Sequence, residues 1–89
     1  MQHLERSFMD SIAIRAVVMQ VLKDVAPGTE ESGLQSDRPL RPQVNLDSMD
    51  WLNCLVELSQ RLHLEIPESD YARLGTLDGL VSYLAERLK

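Results

Sequence analysis

The chain has 89 residues and 44% of them are hydrophobic, so it has enough apolar side chains for one small folded domain and is not expected to be disordered. Nine Lys and Arg against fourteen Asp and Glu give a formal net charge of −5, which argues against nucleic acid and anionic membranes as partners. A single cysteine excludes an internal disulfide, and without a leader pattern or an apolar run of membrane-spanning length we expect a cytoplasmic protein with no membrane insertion.

The first predicted element is a helix that begins at Ser7 or Asp10 and ends at Ala26. Residues 1 to 6 are mostly polar and are expected to form a flexible N-terminus, with the folded domain spanning residues 7 to 89. The helix is apolar on most sides in its middle and is therefore expected to be largely buried. One of its faces carries four apolar side chains, namely Phe8, Ile12, Met19 and Leu22.

A long connection is predicted from Pro27 to Asp47, because three prolines and two glycines interrupt any helical pattern there. Connections of this length are uncommon in compact domains and need anchoring contacts. Four apolar side chains are the predicted anchors: Leu34, Leu40, Val44 and Leu46. The two basic residues of this connection, Arg38 and Arg41, are predicted to be solvated charges rather than part of a ligand site.

The second predicted helix, residues 48 to 62, carries more apolar surface than one face of a small bundle can bury. At about 100° per residue, one stripe contains Trp51, Cys54, Leu55, Leu58 and Leu62. We expect this stripe to face the core, with Trp51 partly buried at its edge. A second stripe is either covered within the domain or kept for docking on other proteins, and it consists of Met49, Leu52 and Val56.

The last third of the chain predicts a short helix followed by a long one. The short helix runs from Pro67 to Leu74 and ends before Gly75, with Tyr71 as a core contact. Thr76 is expected to cap the final helix, where leucines recur at helical spacing at positions Leu77, Leu80, Leu84 and Leu88. No segment alternates as a strand would, so the predicted fold is all-α, with three long helices and one short helix.

The residues Asp47, Ser48, Met49 and Asp50 begin the second helix, where spacing alone favours a helix cap. This segment and the apolar pattern after it resemble the phosphopantetheine attachment region of acyl carrier proteins, in which an Asp-Ser-Leu motif is followed closely by another acidic residue. The resemblance extends from about Leu46 to Leu88 and, more weakly, over the first 26 residues. The later residues that carry it are Leu52, Leu55, Val56, Leu58, Leu62, Ile66 and Pro67.

The resemblance implies a four-helix bundle of the acyl-carrier-protein type, with a long loop between helices 1 and 2. It implies that a 4′-phosphopantetheine arm is joined to Ser48 through a phosphodiester, within an attachment site that includes Asp47, Met49 and Asp50. A phosphopantetheinyl transferase and acyl-loading and acyl-transferring enzymes are the implied partners. The side chains expected to face them are Met49, Leu52, Val56 and Glu57. The protein itself is then expected to be a monomer and not an enzyme.

Helix 48 to 62 departs from the carriers of bulk fatty acid synthesis, whose recognition helix is rich in Glu and Asp. Here Asp50 and Glu57 against Arg61 give the helix a formal charge of −1. The departure indicates a dedicated carrier in a specialised fatty acid, lipid or polyketide-type pathway. A carrier of aminoacyl, peptidyl or aryl groups remains open, as does a helical interaction module of another class that uses the second apolar stripe and receives no prosthetic group.

Other chemistry has weaker support. A hydrolytic Ser48 assisted by His63 and Asp70 lacks the glycine-flanked turn that such a nucleophile needs in the strand-turn-helix hydrolases. His3 and His63 are too few and too far apart for a zinc pattern, so no metal site is expected. Cys54 lies on the core-facing stripe and is predicted to be a small buried hydrophobe.

Overall fold

The computed structural model of the protein describes residues 10 to 88. Its α-helices are α1 (Ser11–Val25), α2 (Leu40–Val44), α3 (Ser48–Leu62) and α4 (Leu77–Arg87). Two 3-10 helices, Glu31–Gly33 and Glu68–Leu74, lie in the connections, and residues 10 to 88 form no strand. The predicted all-α fold of three long helices and a short one is confirmed. The predictions for residues 1 to 6, including His3, for Ser7 and Phe8 and for Lys89 lie outside the described residues.

Side chains at the helix starts define where the helices begin. The carboxylate of Asp10 accepts a 2.9 Å hydrogen bond from the backbone N–H of Ala13, so Asp10 is the cap of α1. The hydroxyl of Thr76 accepts a 2.9 Å hydrogen bond from the N–H of Gly79, which confirms the predicted cap of α4. At the other end of α1, Gly28 has φ +98° and turns the chain into the long loop.

The hydrophobic core lies between α1, α3 and α4, with α1 packed on both of the others and the 3-10 helix Glu68–Leu74 packed on α4. Every helix except the 3-10 helix Glu31–Gly33 supplies side chains with at most 1% of their surface exposed, so these helices share one core. These include Ile14, Val18, Val21 and Leu22 of α1, Leu40 of α2, Cys54, Leu55 and Leu58 of α3, and Leu74, Leu77, Leu80 and Leu84. The predicted burial of Cys54 is confirmed, and Trp51 is more buried than expected, with 9% of its surface exposed.

Two features of the first half of the chain were not predicted from the sequence. Ile12, assigned to an apolar face of the first helix, is 80% exposed, because it lies in the first turn of α1, next to exposed Ser11, rather than in the packed middle of the helix. The connection from Pro27 to Asp47 is not free of secondary structure, since it contains a 3-10 turn and the short helix α2.

In the second half of the chain, the helix predicted over Pro67–Leu74 exists, but it is a 3-10 helix that begins at Glu68.

Hydrogen bonds fix the long loop to itself and to the start of α4. The side-chain amide of Gln43 accepts from the N–H of Gln35 at 2.7 Å and donates to the carbonyl oxygens of Gln35 and Pro39 at 2.9 and 3.0 Å. The N–H of Leu40 donates to the carbonyl of Gly75 at 2.8 Å, and the N–H of Asp78 donates to the carbonyl of Ser36 at 2.9 Å. The predicted anchors Leu40, Val44 and Leu46 are buried and Leu34 is half-buried. The loop is therefore a docked part of the domain.

Candidate functional site

The start of α3 presents Ser48 to solvent. Asp47 is the cap of this helix, because its carboxylate accepts a 2.8 Å hydrogen bond from the N–H of Asp50 while its carbonyl accepts from the N–H of Trp51 at 3.0 Å. Ser48 is the first helical residue and is exposed. Leu46 and Trp51, on either side of Ser48, are buried in the core, so the backbone that carries the exposed serine is held in place.

The electrostatic environment of Ser48 suits an anion. The first backbone N–H groups of an α-helix have no partner within the helix, and they form the positive end of the helix dipole. Asp47 occupies the N–H of Asp50, which leaves the N–H groups of Ser48 and Met49 without an intrahelical acceptor. A phosphate ester on the Ser48 hydroxyl would lie at this positive end.

The side chains that would make Ser48 a hydrolytic nucleophile lie elsewhere. His63 is the C-cap residue of α3, and the 15 residues of the helix separate it from Ser48 by about 22 Å. Asp70 lies beyond His63 and accepts a 2.6 Å hydrogen bond from the hydroxyl of Tyr83. The geometry at Ser48 therefore provides an accessible hydroxyl that another protein can modify, without an internal base to activate it.

The second apolar stripe is exposed along α3, starting next to Ser48. Met49 is 66% exposed, Leu52 38% and Val56 48%. Glu57, one position further, is half-buried and pairs with Arg61, whose Nε lies 3.1 Å from Glu57 Oε2. The second guanidinium nitrogen of Arg61 lies 2.7 Å from Asp24 Oδ2 on α1. This surface of α3 is thus mainly apolar, and its acidic residue Glu57 is paired within the chain.

Neither a metal centre nor a reactive thiol is present in the part of the chain that the structure describes. Residues 10 to 88 contain no group of three or more His, Cys, Asp or Glu side chains arranged to hold a metal ion. Burial, with smaller contributions from the charges of Asp50 and Glu57, raises the pKa of the Cys54 thiol to about 11. The thiol therefore stays protonated at neutral pH. Within the same residues, no helix is long and apolar enough to cross a bilayer.

The structure adds a feature that the sequence did not indicate, a groove of about 410 Å³ that includes Leu46, just before the start of α3. It is lined by Pro39, Arg41, Pro42, Leu46 and Gly75. No local sequence signal marks this groove, because it forms only when the long loop docks on the junction before α4. Its buried member Leu46 precedes Ser48 by two residues.

Comparison with protein families identifies the family to which the chain belongs. The family model described as the phosphopantetheine attachment site matches residues 12 to 84, which includes all but the first residue of α1, the loop, α3 and most of α4. The chain belongs to the phosphopantetheine attachment site family. Membership of this family implies a covalently attached 4′-phosphopantetheine group.

Two relatives agree with this family assignment. The chain is 24% identical over 75 residues to the acyl carrier protein of Rubrobacter xylanophilus, an alignment that covers 81% of this chain and 93% of that protein. In fold it is similar to the solution structure of a protein from Anaplasma phagocytophilum that is assigned as an acyl carrier protein, with a TM-score of 0.79 and 29% identity. That comparison covers 93% of this chain and 97% of the other. The chain is thus similar in sequence and in fold to acyl carrier proteins, which are carriers rather than catalysts.

The residues at the start of α3 fit the prosthetic group of this family. A phosphodiester link requires a hydroxyl that a transferase can reach, and Ser48 is exposed. It also requires an environment that tolerates a negative charge, which the N-terminus of α3 supplies. When bound, the group provides a terminal thiol on a long arm. Family membership implies that a phosphopantetheinyl transferase and acyl-handling enzymes act on this chain.

Proposed function

We propose that this protein holds acyl intermediates as thioesters on a 4′-phosphopantetheine arm attached to Ser48. The observation that carries the proposal is the exposed Ser48 hydroxyl at the positive end of a long, capped helix, inside the matched family region. The proposed role of the chain is passive. Ser48 anchors the arm, and the chemistry on the thiol is done by partner enzymes.

Asp47 and Asp50 are proposed to help the transferase recognise the site. The carboxylate of Asp47 is held by its bond to the N–H of Asp50, which fixes the helix start that the transferase must read. Asp50 is half-buried and lies two residues after Ser48. Removing Asp47 therefore affects both the local charge and the order of the first turn of α3.

Partner enzymes are proposed to dock on the stripe formed by Met49, Leu52 and Val56, with Glu57 at its end. The exposure of three large apolar side chains on one side of α3 supports this proposal. Because Glu57 is paired with Arg61, apolar contact should contribute more than charge. Leu52→Ser combined with Val56→Ser should lower kcat/KM of the transferase, whereas Gln60→Ala, an exposed change on α3, should not.

The low charge of α3 supports a dedicated carrier in a specialised fatty acid, lipid or polyketide-type pathway. Carriers that bind basic patches of their partner enzymes need exposed acidic side chains. Helix α3 has a formal charge of only −1, from Asp50, Glu57 and Arg61. The test is to supply the loaded protein to the elongation enzymes of fatty acid synthesis. Efficient elongation would overturn the specialised role and leave the carrier function intact.

The attachment itself is tested by mass spectrometry after incubation with coenzyme A and a broad-specificity phosphopantetheinyl transferase. The parent protein should gain the mass of one phosphopantetheine group, and Ser48→Ala should gain none. Ser32→Ala, which removes an exposed serine from the loop, is the matched control and should be modified like the parent.

Two other functions remain as alternatives, each with its own outcome. Loading of the arm by an aminoacyl- or aryl-activating enzyme in preference to an acyl-loading enzyme would make this an aminoacyl, peptidyl or aryl carrier. The exposed apolar stripe would also suit a helical interaction module that is never modified. No mass gain in the parent protein would favour that module.

A further inference from the structure

The groove beside Ser48 is shaped by the docked loop and has a fixed position relative to the serine. Its wall includes Pro39 and Pro42 from the loop and α2, Leu46 from the segment before α3, and Gly75 from the junction before α4. The N–H of Leu40 bonds to the carbonyl of Gly75 at 2.8 Å, which joins its two sides. The N–H of Leu46 bonds to the carbonyl of Arg41 at 3.1 Å, which fixes the turn after α2.

This groove lies within reach of a group attached to Ser48. Leu46 and Ser48 are two residues apart, so their Cα atoms are separated by at most about 7 Å. The groove volume of about 410 Å³ is in the range of small-ligand clefts, about 300–1,000 Å³. Its proline and leucine side chains offer an apolar surface for branched methyl groups.

Arg41 gives the groove a positive charge. It is the one charged residue among those that line the groove, and it is exposed. The ion pairs found in residues 10 to 88 use other arginines, namely Arg15, Arg61 and Arg87. A guanidinium at the edge of an apolar groove matches the chemistry of a phosphodiester followed by a branched alkyl segment.

A second groove near α3 has the opposite charge. It also has a volume of about 410 Å³ and includes Thr29, Leu34 and Asn45 in its wall. Among the described residues that line it, the only charged one is Glu30, which would repel a phosphodiester. The two grooves have the same volume, so size does not indicate which of them would hold an arm attached to Ser48. Charge does, because Arg41 attracts a phosphodiester and Glu30 repels it.

We infer that the groove lined by Pro39, Arg41, Pro42, Leu46 and Gly75 receives the phosphate-proximal part of the phosphopantetheine arm, with Arg41 as a positioning residue for the phosphodiester. The inference rests on the proposed attachment at Ser48. It revises the sequence prediction that Arg41 is only a solvated charge. The N–H groups at the start of α3 and the Arg41 guanidinium then flank the phosphodiester, and the geminal methyl groups of the arm contact Pro42 and Leu46.

The test uses isotope-labelled protein carrying an unlabelled arm. NMR should show cross-relaxation between the geminal methyl protons of the arm and the side chains of Pro42 and Leu46. The amides of Leu46 and Gly75 should shift between the unmodified and modified protein more than those of Thr29 and Glu30. An exposed ion pair contributes little, so Arg41→Gln should lower the cross-relaxation by about 1.5-fold to 5-fold.

Arg38→Gln is the matched control, because Arg38 is an exposed arginine of the same loop that does not line the groove. It should leave the cross-relaxation unchanged, and higher ionic strength should weaken the parent signal as Arg41→Gln does. Amide spectra of the unmodified variants establish that both fold like the parent.

The outcomes separate this inference from the function on which it rests. If mass spectrometry shows the arm on Ser48 but its methyl protons contact Leu34 or no part of the chain, the groove assignment is wrong and the carrier function stands. If the contacts with Pro42 and Leu46 are present but Arg41→Gln and Arg38→Gln behave alike, Arg41 does not position the arm. If Ser48 is never modified, both proposals fail together.

Discussion

The hydroxyl of Tyr83 donates a 2.6 Å hydrogen bond to Oδ2 of Asp70, and this contact joins α4 to the 3-10 helix Glu68–Leu74. The guanidinium groups of Arg73 and Arg87 lie over the Tyr83 ring, 5.2 and 5.5 Å from its centroid. Arg87 also lies 3.9 Å from the Asp70 carboxylate. Because a 3-10 helix has poorer internal hydrogen bonds than an α-helix, this cluster adds to the stability that the buried Leu74 gives it.

Replacing Tyr83 with Phe should destabilise the protein. The ring and its contacts with the arginines are kept, but the hydrogen bond to a charged group is lost, which contributes about 1.5–3 kcal/mol in general. Asp70 is only partly buried, so water recovers some of this loss and we expect a fall of about 1–2 kcal/mol in the free energy of unfolding. Urea denaturation measures it, with Tyr71→Phe on the 3-10 helix as the control. Equal midpoints for Tyr83→Phe and the parent would contradict the prediction.

Replacing Gly79 with Ala should also destabilise the protein. A Cβ atom at this position would lie 2.9 Å from the carbonyl oxygen of Arg73 and 3.0 Å from the hydroxyl of Thr76. The first contact is with backbone and the second is with the cap of α4, so neither moves freely. Overpacking costs about 1–3 kcal/mol, which exceeds the gain of about 0.5–1 kcal/mol from replacing a helical glycine.

The control for Gly79→Ala is Gly33→Ala. At Gly33 an added Cβ meets nothing within 4 Å, so this change should be neutral or slightly stabilising. Thermal denaturation of the two variants compares them directly. A Gly79→Ala protein as stable as Gly33→Ala would show that the start of α4 is not closely packed.

The buried Cys54 should make the protein less stable at high pH. Burial raises the thiol pKa from an ordinary value of 9.0 to about 11, so the unfolded chain loses this proton before the folded one does. The contribution is therefore fully present below pH 9 and is lost as the pH rises from 9 to about 11. Urea denaturation across this pH range should show that the free energy of unfolding falls more steeply with pH for the parent than for Cys54→Ala. The comparison holds even if the two proteins differ in stability below pH 9. Parallel pH curves would refute the assignment.

Replacing Arg61 with Gln should alter docking more than stability. The change leaves Glu57 and Asp24 without their shared cation, and all three side chains are substantially exposed, so little stability is lost. The surface of α3 becomes more negative, and association with a basic transferase should become faster and more sensitive to salt. Stopped-flow association at several ionic strengths measures this effect.

Arg15→Gln is the matched control for Arg61→Gln. It changes the net charge equally and breaks a pair of the same kind, Arg15 Nε to Glu31 Oε2 at 2.7 Å, on a residue that is not on α3. Its effect on association should be smaller. If the two variants have the same salt dependence, only net charge matters and the position of Arg61 on α3 does not.

The long helices and the start of α3 at Ser48 could be predicted from the sequence because their signals are local. Leu55, Leu58 and Leu62 repeat at helical spacing, and Asp47 and Thr76 are typical cap residues, so α3 and α4 were predicted almost to the residue. The same helical pattern left open whether Met49, Leu52 and Val56 are covered within the domain or kept for docking, and the structure shows them exposed.

The remaining features depend on contacts between distant parts of the chain. The exposure of Ile12 was not predicted, because periodicity gives the side of a helix and not how far along that side the core extends. Gln43 gave no signal as the residue that organises the loop, because its partners are backbone groups of Gln35 and Pro39. The groove at Arg41 forms where the loop lies against Gly75. No short sequence pattern predicts a contact between residues so far apart in the chain.

The docking of the loop on the start of α4 determines when the protein can become competent during its synthesis. The bonds from Leu40 to Gly75 and from Asp78 to Ser36 connect segments about forty residues apart, so closing them carries the entropic cost of a long loop. A nascent chain that still lacks Gly75 lacks one wall of the groove next to Ser48. The surroundings of the serine are therefore completed only after residues well beyond Ser48 have been synthesised, and a transferase that contacts only the start of α3 would accept the chain earlier than one that also contacts the groove.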